Sequence, residues 1–278
     1  YSYNFSVMLE KHFNFGLDLS GSYTFGHSKS VNDGTSSVAY SNWQYNYSKD
    51  SNSKGELGYS RFDIPHRISL QASYTTPKYL NGWMSTTVGI TYNASPGGRY
   101  SLSYDDAKDF NGDGSRGTTL LYIPTDKELE DMNFVDNFDK QGNLIMSKEE
   151  SREAFRQWIL NDDYAKNHRG QFAERNSNLT KWEHEINLHV AQDIFYLKER
   201  GSKIQVTFDV INFANMLNKK WGANYYLPYN LTPVTVSGST NADGILVPEY
   251  TFKDQSNVLT KNDISSRWHC QVGVRLTF

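Results

Sequence analysis

Ser266-Arg267-Trp268-His269-Cys270-Gln271-Val272-Gly273-Val274-Arg275-Leu276-Thr277-Phe278 closes the chain, and from Trp268 every second residue is apolar: Trp268, Cys270, Val272, Val274, Leu276 and Phe278. His269, Gln271, Gly273, Arg275 and Thr277 stand between them. A period of two marks a strand with one apolar and one polar face. What covers the apolar face depends on whether the rest of the chain repeats it.

Six other segments do. Tyr3, Phe5, Val7 and Leu9 alternate in residues 1–10, and Leu17, Leu19, Gly21, Tyr23 and Phe25 alternate in 15–26. Ile68, Leu70, Ala72 and Tyr74 follow, then Met84, Thr86, Val88, Ile90 and Tyr92. Ile186, Leu188 and Val190 form the fifth, and Ile204, Val206, Phe208 and Val210 the sixth. Pieces this short cannot each bury a core of their own, so one sheet is expected.

The connections alternate in length. Lys11–Asn14, the turn with Pro77, Asn81 and Gly82, and the charged turn Leu197–Ser202 are short. Residues 27–60, 94–180 and 218–262 are long and polar. Strict short–long alternation is the signature of an up-and-down barrel in an outer membrane, with short inner turns and long outer loops. The polar faces, with Asp18, Gln71, His189, Asp209 and Arg275, suit a watered or plugged lumen. Tyr74, Trp83, Tyr92, Trp182 and Trp268, near strand ends, suit an interfacial belt. The expected fold is therefore all-β: an antiparallel up-and-down transmembrane β-barrel, present as a partial barrel of about seven strands, with residues 1–278 its C-terminal part. An odd number of antiparallel strands cannot close without a parallel pair, so the remaining strands are expected before Tyr1.

Composition agrees. The hydrophobic fraction is 37%, mean hydropathy is −0.66 and aromatic residues make up 14%, which suits amphipathic strands with polar loops better than a helical core. A net charge of −3 gives no field for nucleic acid. Cys270 is the lone cysteine, so there is neither an internal disulfide nor a Cys-cluster zinc site; it reads as a small hydrophobe.

The insertion 94–180 carries a helix at about 147–160, opened by a Ser147/Glu150 capping box and striped by Phe155, Trp158 and Ile159. It also carries Asp109-x-Asn111-x-Asp113-Gly114, whose spaced oxygens match the first half of a calcium loop, with Ser115 offering a carbonyl and Asp105 or Asp106 available upstream. Position twelve is Leu120 rather than Glu, so an EF-hand is not supported. Two readings stay open there: bound Ca2+, with Asp109, Asn111 and Asp113 as ligands, or an Asx-rich turn without metal. His184 and His189 point to opposite strand faces and cannot share a metal. No Ser-His-Asp arrangement or phosphate loop has supporting context, so no enzyme is expected. Trp43, Tyr45, Tyr47, Tyr100, Tyr104, Tyr225, Tyr226 and Tyr229 in the long loops could either hold a sugar or peptide or pack on one another.

Several stretches together resemble the C-terminal barrel region of a TonB-dependent outer-membrane transporter of the Bacteroidetes type. The Oar-like group, whose members carry a carboxypeptidase-regulatory-like domain ahead of the plug, is the most similar. The stretches are Phe62-Asp63-Ile64-Pro65-His66-Arg67; Asn111-Gly112-Asp113-Gly114-Ser115-Arg116-Gly117 with Leu121-Tyr122-Ile123-Pro124; His168-Arg169-Gly170-Gln171 with Ala173-Glu174-Arg175-Asn176; and Asp209-Val210-Ile211-Asn212-Phe213 with Leu217-Asn218-Lys219-Lys220-Trp221-Gly222. The strand through Trp268, Val272, Val274, Leu276 and Phe278 resembles the barrel-assembly signal of outer-membrane proteins. The resemblance implies the last strands of a plugged 22-stranded barrel in the cell outer membrane. It implies a bulky imported ligand (glycan, peptide or chelate) and no catalysis. The implied partners are outer-membrane lipid, the plug and N-terminal strands, the TonB system and a surface lipoprotein lid. A structural or adhesive outer-membrane barrel, and a soluble glycan-binding β-protein, are the alternatives.

Overall fold

The structure, a computed structural model, describes all 278 residues except 51–53, 107–108, 198–201 and 229. The turn expected at Leu197–Ser202 falls largely outside the described residues, as does Tyr229.

Seven long strands form one sheet: β1 (Ser2–His12), β2 (Leu17–Ser30), β3 (His66–Thr75), β4 (Met84–Pro96), β6 (Trp182–Leu197), β7 (Ser202–Ile211) and β10 (His269–Thr277). β5 (Leu102–Asp106), β8 (Leu231–Thr240) and β9 (Leu246–Phe252) lie outside it. Neighbours in the sheet are neighbours in this order, and every pairing is antiparallel. The barrel is not closed: β1 and β10 are the sheet's two edges.

Register carries the alternation across the sheet. Leu19 faces Ala72, Ala72 faces Ile90, Ile90 faces Leu188, Leu188 faces Val210 and Val210 faces Cys270. One row below, Leu17, Tyr74, Val88, Val190, Phe208 and Val272 align likewise. A one-residue slip at any pairing would turn a strand's apolar set to the polar face, so register and face specify each other. Among the described residues most of this apolar face is left uncovered by the protein, Val210 at its cap end being buried: Leu9 is 75% exposed and Val274 73%. A large aliphatic side chain gains about 1.5–3 kcal/mol on leaving water, so a medium of hydrocarbon must do the covering. All backbone bonds inside the sheet run between strands, as a bilayer demands.

The opposite face is polar. His189 bonds Asp209 at 2.5 Å, His12 bonds Asp18 at 2.7 Å, and Asp193 takes Lys203 at 2.6 Å and Gln205 at 2.8 Å. These are cross-strand pairs, the unit of sheet stabilisation.

The three long connections leave one end of the sheet, and they are not simple loops. β5, β8 and β9 form a second sheet, in which β8 pairs with β9 antiparallel and with β5 in parallel. Leu102, Ile123, Phe155, Ile159 and Val234 are fully buried against one another. We refer to this packed layer as the cap. Helix α1 (Ala39–Gln44) belongs to the first connection; α2 (Asp126–Asp131) and α3 (Lys148–Asn161) belong to the cap. α3 begins where the sequence places it, with both halves of the Ser147/Glu150 capping box formed. Thr125 and Glu128 form a second capping box on α2 that the sequence reading did not single out. The region 218–262, read as polar loop, holds β8 and β9, and its Leu231, Val234 and Val236 enter the cap core.

Candidate functional site

At the cap end of the sheet the apolar face ends in a belt of rings. Tyr23 stacks on His66, His66 on Trp182, Trp182 on His184 and His184 on Tyr92, with centroids 6.1–6.3 Å apart. Tyr23 Oη bonds His66 Nδ1 at 2.8 Å and Tyr92 Oη bonds His184 Nδ1 at 2.9 Å, which fixes both imidazoles. Tyr79 and Tyr196 stand at the other end of the same face. From His184 to Tyr196 the strand runs ~40 Å at ~3.3 Å per residue, or about 30 Å of height at a tilt of about 40°. That spacing suits two aromatic girdles bounding a hydrocarbon layer.

The cap is fastened to this end by a buried ion network. Ile64-Pro65 holds an extended entry into β3 and delivers Asp63, which is 4% exposed. Its Oδ1 accepts the Ser28 N–H at 2.5 Å, and its Oδ2 accepts Arg99 Nε at 2.7 Å and Nη2 at 2.6 Å. Arg99 Nη1 donates to the carbonyls of Asn176 and Ser177, and the guanidinium lies 4.0 Å above the Tyr59 ring. Lys29 lies over the same ring at 4.2 Å and pairs with Glu174 at 2.5 Å. A buried pair repays its desolvation only when its remaining bonds are made, and here they are. Arg175 Nη1 donates to the Val31 carbonyl and to Asn46 Oδ1, both at 2.7 Å, and burial pushes its pKa down.

Beside this network lies a cavity of about 280 Å³ opening between α1, Arg99-Tyr100, and Leu227, Pro228 and Asn230. Tyr45, Tyr47 and Tyr100 line it, with Asn32, Asn42 and Asn230. Asp33 sits in its wall: burial pushes its carboxyl up, but the Arg61 N–H, the Ser30 and Ser60 hydroxyls and the Arg175 charge together hold it below the ordinary range. Tyr100 is pushed up to about 12 by burial and by the Asp162 charge. A second cavity of about 580 Å³ lies beside it and shares Tyr47 and Arg175.

A family model described as "Outer membrane beta barrel domain" matches residues 2–234. The chain belongs to this outer-membrane β-barrel domain family. Comparison with curated proteins and with solved structures returned no match.

Within the barrel protein, the residues singled out in the sequence fall in different places. Asp109, Asn111 and Asp113 share one loop of the cap. Asp109 accepts the N–H groups of Gly112 at 2.8 Å and Gly114 at 2.9 Å. Asp113, fully buried, accepts Ser115 N–H at 2.7 Å and the Thr118 hydroxyl at 3.0 Å. Asn111 donates to Asp113 at 2.8 Å and to Ser48 Oγ at 3.1 Å. Asp105 turns to Lys253 at 2.5 Å, and Asp106 holds the Gly117 N–H and the Thr119 hydroxyl. Among the described residues no three His, Cys, Asp or Glu side chains are grouped to hold a metal. His184 lies on the barrel's apolar face and His189 on its polar face. Trp268 precedes β10 and Phe278 follows it, while Val272, Val274 and Leu276 lie on the strand's outward face. Tyr104 packs, partly buried, against the cap core, and Tyr225 lines a separate cavity with Tyr100.

What sequence reasoning missed is the purpose of the motif residues. Asp63 and Glu174-Arg175-Asn176, more than a hundred residues apart, meet through Arg99. Asn212, at φ +54°, donates its Nδ2 to the carbonyls of Gly222 at 2.8 Å and Ser266 at 3.1 Å, closing the outer end of β7 and guiding the chain into β10. A Cβ on Gly222 would stand 1.9 Å from Asn212 Oδ1, so only glycine fits.

Proposed function

We propose that the chain is the barrel portion of a TonB-dependent transporter of the Bacteroidetes type, in the cell outer membrane, that takes up a bulky ligand. The observation that carries this reading is the placement of a packed, cavity-bearing cap at one end of a sheet with a hydrocarbon-facing outer side and a hydrogen-bonded polar inner side. A cap on the cell surface can receive a ligand, and a polar inner face can border a watered or plugged lumen. The partners in this reading are lipid, the plug and remaining strands, the TonB system and a surface lipoprotein lid. No enzymatic step is assigned. The test is depletion of glycans, peptides and metal chelates from the medium by cells with and without the parent protein, each with and without TonB. Transport requires that the same compound be spared by either deletion. Depletion unaffected by loss of TonB would sink it.

A structural or adhesive barrel is the second reading, favoured by one observation. The cap hairpin Asn137–Phe138/Leu144–Met146 exposes Phe138, Leu144 and Ile145, and the β8–β9 hairpin exposes Ile245. Loss of cell aggregation without any change in uptake, on replacing these four by Ser, would favour it.

Calcium at the Asp109–Ser115 loop is a separate proposal. Gly114, sixth in the loop, takes φ +77°, the sharp turn such loops need there. Protease resistance of the cap, titrated with calcium in wild type and Asp113→Ala, decides it: a calcium effect confined to wild type supports the metal, and no calcium effect in either leaves the Asx turn.

A further inference from the structure

The cavity between α1 and Leu227, Pro228 and Asn230 has walls built in a particular way. Its asparagines are held in place before any ligand arrives. Asn32 Nδ2 donates to the Asn42 carbonyl at 2.6 Å, and Asn32 Oδ1 accepts the Gly34 N–H at 2.8 Å. Asn42 Nδ2 donates to the Ser36 carbonyl at 2.7 Å and Asn42 Oδ1 accepts the Ser36 N–H at 2.8 Å. Asn230 Oδ1 accepts the Ser101 N–H at 2.9 Å. An amide has two N–H donors and two carbonyl lone pairs, so Asn32 and Asn42, oriented by one bond per atom, and Asn230, which also meets the Tyr47 side chain, each keep an N–H donor for a ligand. Adjacent donor and acceptor positions are what the paired hydroxyls of a sugar ring require. Tyr45, 64% exposed at the mouth, offers a ring face on which the C–H side of a sugar can lie.

Charge argues against the other ligand classes. Among the described residues three arginines line the cavity: Arg99 is neutralised by Asp63, Arg175 feels Asp33, Glu56 and Glu174, and Arg61 adds its charge at the wall, so the field is that of a lone cation rather than the cluster an anionic chelate would need. A peptide would be gripped by main-chain bonds along a free strand edge, whereas the walls here present side-chain amides. At about 280 Å³ the cavity sits at the small end of ligand sites and fits a chain end rather than a folded ligand.

We propose that this cavity binds the end of a neutral oligosaccharide, with Tyr45 stacking on a ring and Asn32, Asn42 and Asn230 reading its hydroxyls. The proposal deepens the uptake reading by naming a ligand class, but the binding step needs only the cap at the cell surface. The full-length protein in detergent is titrated calorimetrically with maltotriose, cellotriose, xylotriose and mannotriose, and with trigalacturonate, trialanine and ferrichrome as controls. At least one neutral trisaccharide is expected to bind. Tyr45→Ala should weaken it about tenfold, and Tyr45→Phe, which keeps the ring, should stay within about twofold. Tyr226→Ala, an exposed loop aromatic outside the cavity, should change nothing. Heat-modifiable gel mobility checks that each variant is folded. No binding of any neutral trisaccharide at about 10 mM, an unchanged affinity in Tyr45→Ala, or tighter Tyr45-dependent binding of a control would overturn it. Sugar binding that persists while TonB-dependent uptake is absent would refute transport and leave this site standing.

Discussion

The sheet and the cap are made by one chain and dispose of their apolar side chains in opposite ways. In the cap, Leu102, Ile123, Phe155 and Val234 are sealed against one another. In the sheet, Leu9, Val272 and Val274 stand outward with nothing of the protein over them. The cap is therefore a body that water can fold, while the sheet is complete only when hydrocarbon covers one side. The difference also explains why alternation of period two is visible in the sheet and not in the cap. A single covered face imposes the period, whereas a core closed from all sides does not.

The comparison breaks most sharply at Phe155. Phe155→Ala should cost about 3–5 kcal/mol, and the loss should fall on the cap alone: limited proteolysis should cut residues 97–181 while the sheet keeps its heat-modifiable mobility. Equal loss in both regions would mean that the cap and sheet fold as one unit. The reciprocal change is Ile90→Lys, in the middle of the apolar face. It should cost about 2–4 kcal/mol in a bilayer, read as lowered folding yield into lipid vesicles, with little effect on cap proteolysis. A smaller effect is expected from Ser147→Ala, which removes half of the capping box on α3 and should cost about 1 kcal/mol, seen as a modest drop in the cap's denaturation midpoint.

The smallest effect is a pH dependence at the junction. The Asp33 carboxyl is held below its ordinary value of 3.8, so its stabilising contribution is complete above that value and is lost as pH falls through the lower folded value. Proteolysis of the connection 31–65 should rise on acidification into that window in wild type. Asp33→Asn should show a smaller rise.

Much of the sheet was legible from residues alone. The alternation placed all seven strands, and Ser147 with Glu150 placed the helix start. The strands run longer than the alternation suggested: β6 extends from Trp182 because its first residues pair with the end of β4, Trp182 opposite Pro96. The candidate site was less legible. Tyr45, Tyr47 and Tyr100 were noted among eight loop aromatics, but that Tyr45 and Tyr47 meet at this cavity while Tyr104 packs on the core, Tyr225 faces another cavity and Tyr100 borders both cavities depends on how the connections fold back. The loop Asp109–Asp113 could be located but not decided, since the same oxygens suit amides or a cation.

What the sequence by itself determined is the local and periodic part. It set which residues lie in strands, which face each side chain takes and at which end the long connections emerge, because strand geometry ties side-chain direction to residue parity. What only the tertiary structure decided is the meeting of distant segments. Residues 28, 63, 99 and 176 form one ion network, Leu102, Ile123, Phe155 and Val234 share one core, and α1 with Leu227, Pro228 and Asn230 encloses one cavity. These contacts depend on the ends of the sheet strands being fixed in space first, and no local pattern in the chain records that.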